Sequence, residues 1–128
     1  LSRVLVCSER RKQVIYDERM DKECIALCDI LNSDPGISTA ESCCGHGKQP
    51  FRIWFEAETV ESLCALAMGC NCNYCNHIGW RIEVNHSESP NRALFMLEGP
   101  VGEEAYPAIA DIAKTIADFR LIRAKEAQ

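Results

Sequence analysis

Apolar residues along this chain recur at two spacings, and the places where one spacing gives way to the other mark its elements. Arg3-Val4-Leu5-Val6-Cys7 is a short apolar run that predicts an edge strand. From about 17 to 32, Met20, Cys24, Leu27, Cys28 and Leu31 recur at helical spacing, and Asn32-Ser33-Asp34-Pro35-Gly36 stops that helix. Residues 37–42 read as a strand. Phe51-Arg52-Ile53-Trp54-Phe55-Glu56 alternates as a half-buried strand does, with Pro50 at its start. Thr59 suits the N-cap of a helix running to about Met68, with Val60, Leu63, Cys64 and Ala67 on its apolar face and Glu61 in its first turn. Trp80-Arg81-Ile82-Glu83-Val84 alternates again, and Ala93-Leu94-Phe95-Met96-Leu97 supplies an antiparallel partner across a turn at 86–91. A last helix, from about 103 to 124, carries the stripe Tyr106, Ile109, Ile112, Ala113, Ile116 and Phe119. No repeat, low-complexity tract or long linker interrupts this series. Residues 1–128 are therefore expected to form one α+β domain, a largely antiparallel sheet with about three helices packed on one face.

Composition narrows the setting. A chain of 128 residues can bury roughly two thirds of its unfolded surface without disulfides. No apolar stretch approaches the roughly 18 residues of a membrane span, and Leu1–Arg10 lacks the apolar length of a secretory signal, so no membrane partner is expected. With nine cysteines, an odd number, the expectation is reduced thiols and a cytoplasmic setting. The net charge of -5 is not the electrostatic footprint of a general nucleic-acid binder. Arg10, Arg11, Lys12, Arg19 and Lys22 are interleaved with Glu9, Asp17, Glu18 and Asp21, which reads as solvated charge.

The cysteines divide into two groups. Cys24, Cys28 and Cys64 fall on predicted helix stripes and Cys7 on an apolar strand, where sulfur behaves as a small hydrophobe. Cys43, Cys44, Cys70, Cys72 and Cys75 are left in two polar loops. The second loop reads Cys70-Asn71-Cys72-Asn73-Tyr74-Cys75-Asn76-His77, in which Cys72-x-x-Cys75 has the spacing of a zinc knuckle. Cys70, Cys72, Cys75 and His77 could together satisfy tetrahedral zinc, and Cys43, Cys44 or His46 could replace one or two of them if the loops meet. Free thiols near a turn, a redox or iron–sulfur role, and a Cys72–Cys75 disulfide are the competing readings.

The first loop is Ser42-Cys43-Cys44-Gly45-His46-Gly47-Lys48. It lies between predicted strands, so it is neither a P-loop nor a dinucleotide fingerprint. Gly45 and Gly47 can adopt positive φ and expose backbone N–H groups in a nest suited to phosphate or carboxylate, and Lys48 and Arg52 add charge. The expected partner is a small anionic ligand or a nucleotide, held by Ser42, Cys44, Gly45, Gly47, Lys48 and Arg52. His46 can act as general base toward a Cys43 or Cys44 thiol, or as a metal ligand. Adjacent residues on a strand point to opposite faces, so only one of the two thiols is expected to meet the imidazole, and Cys43 with His46 is the candidate catalytic pair. Trp54 and Trp80 read as core or subunit-contact aromatics, which leaves a homo-oligomer open. His86 reads as a solvated turn residue, and Glu56 and Glu58 as a carboxylate pair or helix start.

The run from Leu27 to Gly45 resembles the opening of the tRNA wybutosine-synthesising protein 3 family. There a helix ends in a Leu-x-Asn-Ser phrase and a strand leads to Thr-x-Ser-Ser-Cys-Ser-Gly-Arg, set here beside the helix end at Asn32-Ser33 and the run Thr39-Ala40-Glu41-Ser42-Cys43-Cys44-Gly45. The strand Ile53–Ala57 and the helix holding Ser62–Leu66 also fall where that family has a strand and a helix, about half the chain in all. His46 stands where the family phrase has arginine, and Cys44 replaces the serine that follows its cysteine. The resemblance implies an α+β fold and methyl transfer from S-adenosylmethionine to a modified guanosine in RNA, with the Ser42-Cys43-x-Gly45 turn near the active site. Ser42–Lys48 is also similar to a phrase in short uncharacterised bacterial and phage proteins. A ligand-binding protein of this fold is the leading expectation. A zinc-stabilised interaction or regulatory module and a thiol enzyme or redox sensor are the alternatives.

Overall fold

Two separate antiparallel sheets and three helices satisfy these patterns. The computed structural model describes residues 3–7, 12–16, 18–70, 77–89 and 92–126. Strand β1 (Arg3–Cys7) pairs with β2 (Lys12–Tyr16) as a two-stranded sheet of its own. Helix α1 (Lys22–Asn32), strands β3 (Ile37–Cys43) and β4 (Pro50–Ala57), helix α2 (Val60–Cys70), and strands β5 (Arg81–Ser89) and β6 (Arg92–Val101) follow. A 3₁₀ turn at Gly102–Ala105 leads into α3 (Tyr106–Glu126). The main sheet has the order β3-β4-β6-β5, every neighbour antiparallel. The protein is α+β, as the alternation and stripes predict.

Ile37, Phe51, Ile53, Phe55 and Leu97 face the helices from the sheet, and Leu27, Leu31, Leu66, Ile112 and Ile116 meet them from α1, α2 and α3; all ten are fully buried. Burying residues of this size contributes roughly 1.5–3 kcal/mol each, which is why the inner face is so consistently aliphatic and aromatic. One bulge changes the alternation. Thr39 pairs with Phe55 but Glu41 with Trp54, leaving Ala40 as an extra residue on β3. The side-chain period is two, so the inserted residue shifts the inward set from Ile37 and Thr39 to Ser42, and Cys43 emerges on the other side. Buried Asn32 locks the α1–β3 connection by donating to Thr39 Oγ1 (2.7 Å) and Tyr16 Oη (3.2 Å) and accepting the Thr39 N–H (3.0 Å).

Several boundaries differ from expectation. Helix α1 starts at Lys22 rather than near 17, because the chain comes out of β2 at Tyr16 and turns through 18–20 first; the polar spacing of 12–16 hid that strand. Strands β5 and β6 run on through the expected turn, which puts His86 on β5, exposed and paired with Asn85 (3.0 Å). Cys24 and Cys28 are buried as expected, whereas Cys64 is only half-buried. Trp80 is buried just before β5, against Phe51, and Trp54 is half-buried on the outer face.

The reason Cys64 fails is that α2 presents a different face. Ser62, Ala65, Leu66, Gly69 and Cys70 are inside, and Val60, the expected start of the stripe, is 75% exposed. An almost uniformly apolar helix has a poorly defined stripe, so the side is chosen by fit, and small residues let α2 approach α3 closely. A Cβ at Gly69 would lie 2.5 Å from Ile116 Cγ1 and 3.0 Å from the Ile112 carbonyl oxygen. Gly69→Ala should therefore destabilise the protein by about 1–2 kcal/mol, overpacking outweighing the usual helical gain of alanine over glycine. Urea denaturation measures this, and a more stable variant would show that α2 and α3 part without cost.

Candidate metal site at the loop after β3

The topology gathers the first cysteine loop and the residues flanking the second, Cys70 and His77, at one end of the main sheet. The first connects the end of β3 to the start of β4; the second follows the end of α2 and precedes β5. Phe51, just after the first loop, and Trp80, just after the second, pack with ring centroids 5.3 Å apart. The start of α1, carrying Asp21, and the start of α3, carrying Tyr106, lie at the same end.

The first loop is tight. Lys48 and Gln49 N–H both donate to the Gly45 carbonyl (2.9 Å each). Gly45, His46 and Gly47 all have positive φ, at 85°, 51° and 78°. For His46 this left-handed backbone costs about 1–2 kcal/mol, strain of the kind that collects where a side chain is being aimed.

Within that turn, one potential ligand atom from each of Asp21, Cys43 and His46 lies within 4.8 Å of the other two. His46 Nε2 is 3.7 Å from Asp21 Oδ2. Asp21 occupies the N-cap position of α1, yet its side chain makes no capping hydrogen bond to the helix. Its Oδ2 instead accepts the Cys44 N–H at 2.9 Å, across 23 residues of chain. An aspartate at an N-cap ordinarily satisfies an orphan helical N–H, so turning it outward forgoes about 1 kcal/mol of capping.

Cys44 organises the ligand atoms from behind. Its N–H holds Asp21, its Sγ lies 3.7 Å from His46 Nδ1, and the His46 N–H donates to the same sulfur at 3.4 Å. The Gly45 N–H donates to Cys43 Sγ, also at 3.4 Å. Hydrogen bonds to sulfur favour the thiolate, and a partner on the second ring nitrogen fixes which nitrogen of a ligating histidine is presented. Burial pushes the Cys44 thiol above the usual range, opposed by hydrogen bonds from His46 N–H and the Tyr106 hydroxyl. The same contact with Cys44 raises Tyr106 to about 12, so its hydroxyl keeps its proton and donates.

These contacts bear on the expected site residues. The N–H groups of Cys44, Gly45, His46, Lys48 and Gln49 are all spent inside the protein, so the expected anion nest does not form from them. Cys44 is the thiol at hydrogen-bond distance of the imidazole, at 3.7 Å, while Cys43 and His46 have ligand atoms within 4.8 Å of each other. Ser42 is buried and hydrogen-bonded to Cys24. Lys48 is exposed on the turn. Arg52 pairs across the strands with Cys43, but its Nε donates to Glu98 Oε2 (2.9 Å), and Glu98 also binds Arg81 Nη2 (2.8 Å).

Of the second loop's expected ligands, Cys72 and Cys75 lie outside the described residues. Cys70 is the last residue of α2, fully enclosed, with burial raising its thiol to about 12. His77 donates its backbone N–H to the Cys70 carbonyl, and its Nε2 sits 2.9 Å from Asp111 Oδ2 on α3, at ion-pair distance without hydrogen-bond alignment. Among the described residues, then, the group that could hold a metal contains Cys43 and His46 from one loop and Asp21 from another element. Asp21 was hidden because, in sequence, it is one more acid in a charged stretch; only its N-cap position before α1 hints at a special place.

No helix among the described residues is long and apolar enough to cross a membrane. Compared with family models, with curated proteins and with solved structures, the chain matches none.

Proposed function

We propose that this is a zinc-binding protein in which Asp21, Cys43 and His46 hold the ion and a small anionic ligand takes the remaining position. The observation that carries this reading is the convergence of the three side chains, with Cys44 hydrogen-bonded to Asp21 and His46 and the Gly45 N–H donating to Cys43 Sγ. One thiolate, one imidazole and one carboxylate suit borderline-soft zinc better than calcium or magnesium, which prefer oxygen alone. A tetrahedral shell, with bonds of about 2.0–2.3 Å, needs these ligand atoms, within 4.8 Å of one another, to draw closer together. Three protein ligands leave the coordination open, the arrangement in which zinc binds water or polarises an oxygen of a ligand. His46, 68% exposed, puts the group in contact with solvent, and Lys48 is exposed two residues on.

The test is metal analysis with matched variants. The apo chain titrated with zinc should take up an ion that His46→Ala and Cys43→Ser each lose by more than the roughly 10–100-fold typical of an outer-shell partner, with Asp21→Asn next in severity. Cobalt in place of zinc should show charge-transfer absorption from a single thiolate. A Cys72→Ser/Cys75→Ser double variant should keep this ion. The reverse pattern, metal lost with Cys72 and Cys75 and indifferent to His46, would place the site in the second loop.

A further inference from the structure

The far end of the molecule carries a cleft of about 430 Å³ between the α1–β3 turn, the start of α2 and the second half of α3. That volume lies within the range of small-molecule sites. It is lined by charge of both signs. Arg120 and Arg123 come from α3, Asp34 from the α1–β3 turn beside Arg120, and Glu58 and Glu61 from the start of α2, while the Phe119 ring and Ala65 supply apolar wall.

Arg120 is held in place rather than free. Its Nη1 donates to the Ile30 carbonyl and to Ser33 Oγ (2.8 Å), closing the C-terminal end of α1. Its Nη2 lies 3.9 Å from Asp34 Oδ2, too far for a hydrogen bond, and both Nε and Nη2 are buried without an acceptor among the described residues. Asp34 is itself partly committed, since its Oδ1 accepts the Gly36 N–H at 2.8 Å. Burial holds the Arg120 guanidinium below its ordinary range, the sign of a cation with too little compensation around it. Behind the wall of a partly desolvated cleft, such a charge acts on the cleft through a medium that screens it poorly. Arg123 stands nearer the solvent with its guanidinium 5.9 Å from the Phe119 ring centroid, where its donors can reach a ligand directly. At the start of α2, Thr59 Oγ1 accepts the Ser62 N–H (3.2 Å), and the two hydroxyls pair at 3.1 Å.

We infer that this cleft is a second binding site, for a small phosphate monoester that also carries a protonated amine. The phosphate sits against Arg123 and the Thr59–Ser62 hydroxyls in the field of Arg120, and the amine reaches the carboxylates of Glu58 and Glu61. Two arginines suit a phosphate, whose geometry accepts forked guanidinium donors. The carboxylates across the cleft disfavour an anion without a cationic end, which is what selects the amine. The site is independent of the proposed zinc ion, which lies at the other end of the sheet.

Titrating the full chain, with no metal added, with O-phosphoserine, inorganic phosphate and L-serine, followed by amide NMR shifts, tests the inference. O-phosphoserine should saturate, with shifts centred on Gly36, Thr59 and Phe119. Inorganic phosphate should bind at least tenfold more weakly, and L-serine should not saturate. Arg123→Ala should weaken O-phosphoserine at least tenfold, Arg123→Lys less, and Glu58→Gln should narrow the gap between O-phosphoserine and phosphate. Arg123 is exposed, so its variants keep the fold, as the same spectra verify. His46→Ala should leave all of this unchanged, which separates failure here from failure of the zinc reading. No saturable shift up to about 10 mM, where only very weak binding is excluded from view, overturns the inference. So does O-phosphoserine binding indifferent to Arg123→Glu, or phosphate binding as tightly as O-phosphoserine.

Discussion

Gly45→Ala is expected to destabilise the protein by about 3 kcal/mol and to abolish binding at the proposed zinc site, whereas Gly47→Ala, two residues on in the same turn, should cost only about 1 kcal/mol. Both glycines have positive φ, so left-handed strain is common to the two substitutions. The difference is space. A Cβ at Gly45 would fall 1.9 Å from the Gln49 carbonyl oxygen, a backbone atom that cannot swing aside, while one at Gly47 meets nothing within 4 Å. Relieving the first clash opens the turn and breaks the two hydrogen bonds to the Gly45 carbonyl, each worth about 1 kcal/mol. It also carries away the N–H that Gly45 donates to Cys43 Sγ. Denaturant midpoints and zinc titrations on the pair measure this, and equal effects at the two positions would mean that the turn is not what presents the ligands.

Phe51→Ala should have the largest effect on stability, about 3–5 kcal/mol, a substantial part of the 5–15 kcal/mol of a typical domain. Phe51 is fully buried, and it joins the bases of the two cysteine loops through Trp80, at an interplanar angle of 54°. Tilted aromatic pairs contribute about 0.5–1.5 kcal/mol beyond burial. A double-mutant cycle of Phe51→Leu with Trp80→Leu should return a coupling of that size. Additive losses would show that the loops are anchored separately, despite sharing one end of the sheet.

How far the chain can be read without coordinates depends on which interactions are local. The α3 stripe was legible because Ile109, Ile112 and Ile116 stand in a polar background, and the same three are buried in the structure. The stripe of α2 was not, because its apolar residues surround the axis and the choice of face is made by how close α3 can come at Gly69. Strand β4 was legible from strict alternation. Strand β2 escaped because Lys12 and Gln13 blur its period. The loop itself, with Cys43 and His46, stood out by composition. Asp21 did not, since nothing local shows that its carboxylate turns to Cys44 N–H instead of capping its own helix. A single long-range hydrogen bond thus separates a surface acid from a candidate ligand.

The outer rim of the main sheet has its own consequence. Val84 pairs with Phe95 but His86 with Leu94, and Ser87 pairs with Ala93 but Ser89 with Arg92, so β5 carries Asn85 and Glu88 as additional residues. Each insertion turns the strand's free amide and carbonyl groups out of line. A stranger's extended backbone docking there meets a ladder with missing rungs, and filament growth by lateral addition has no straight template on that side.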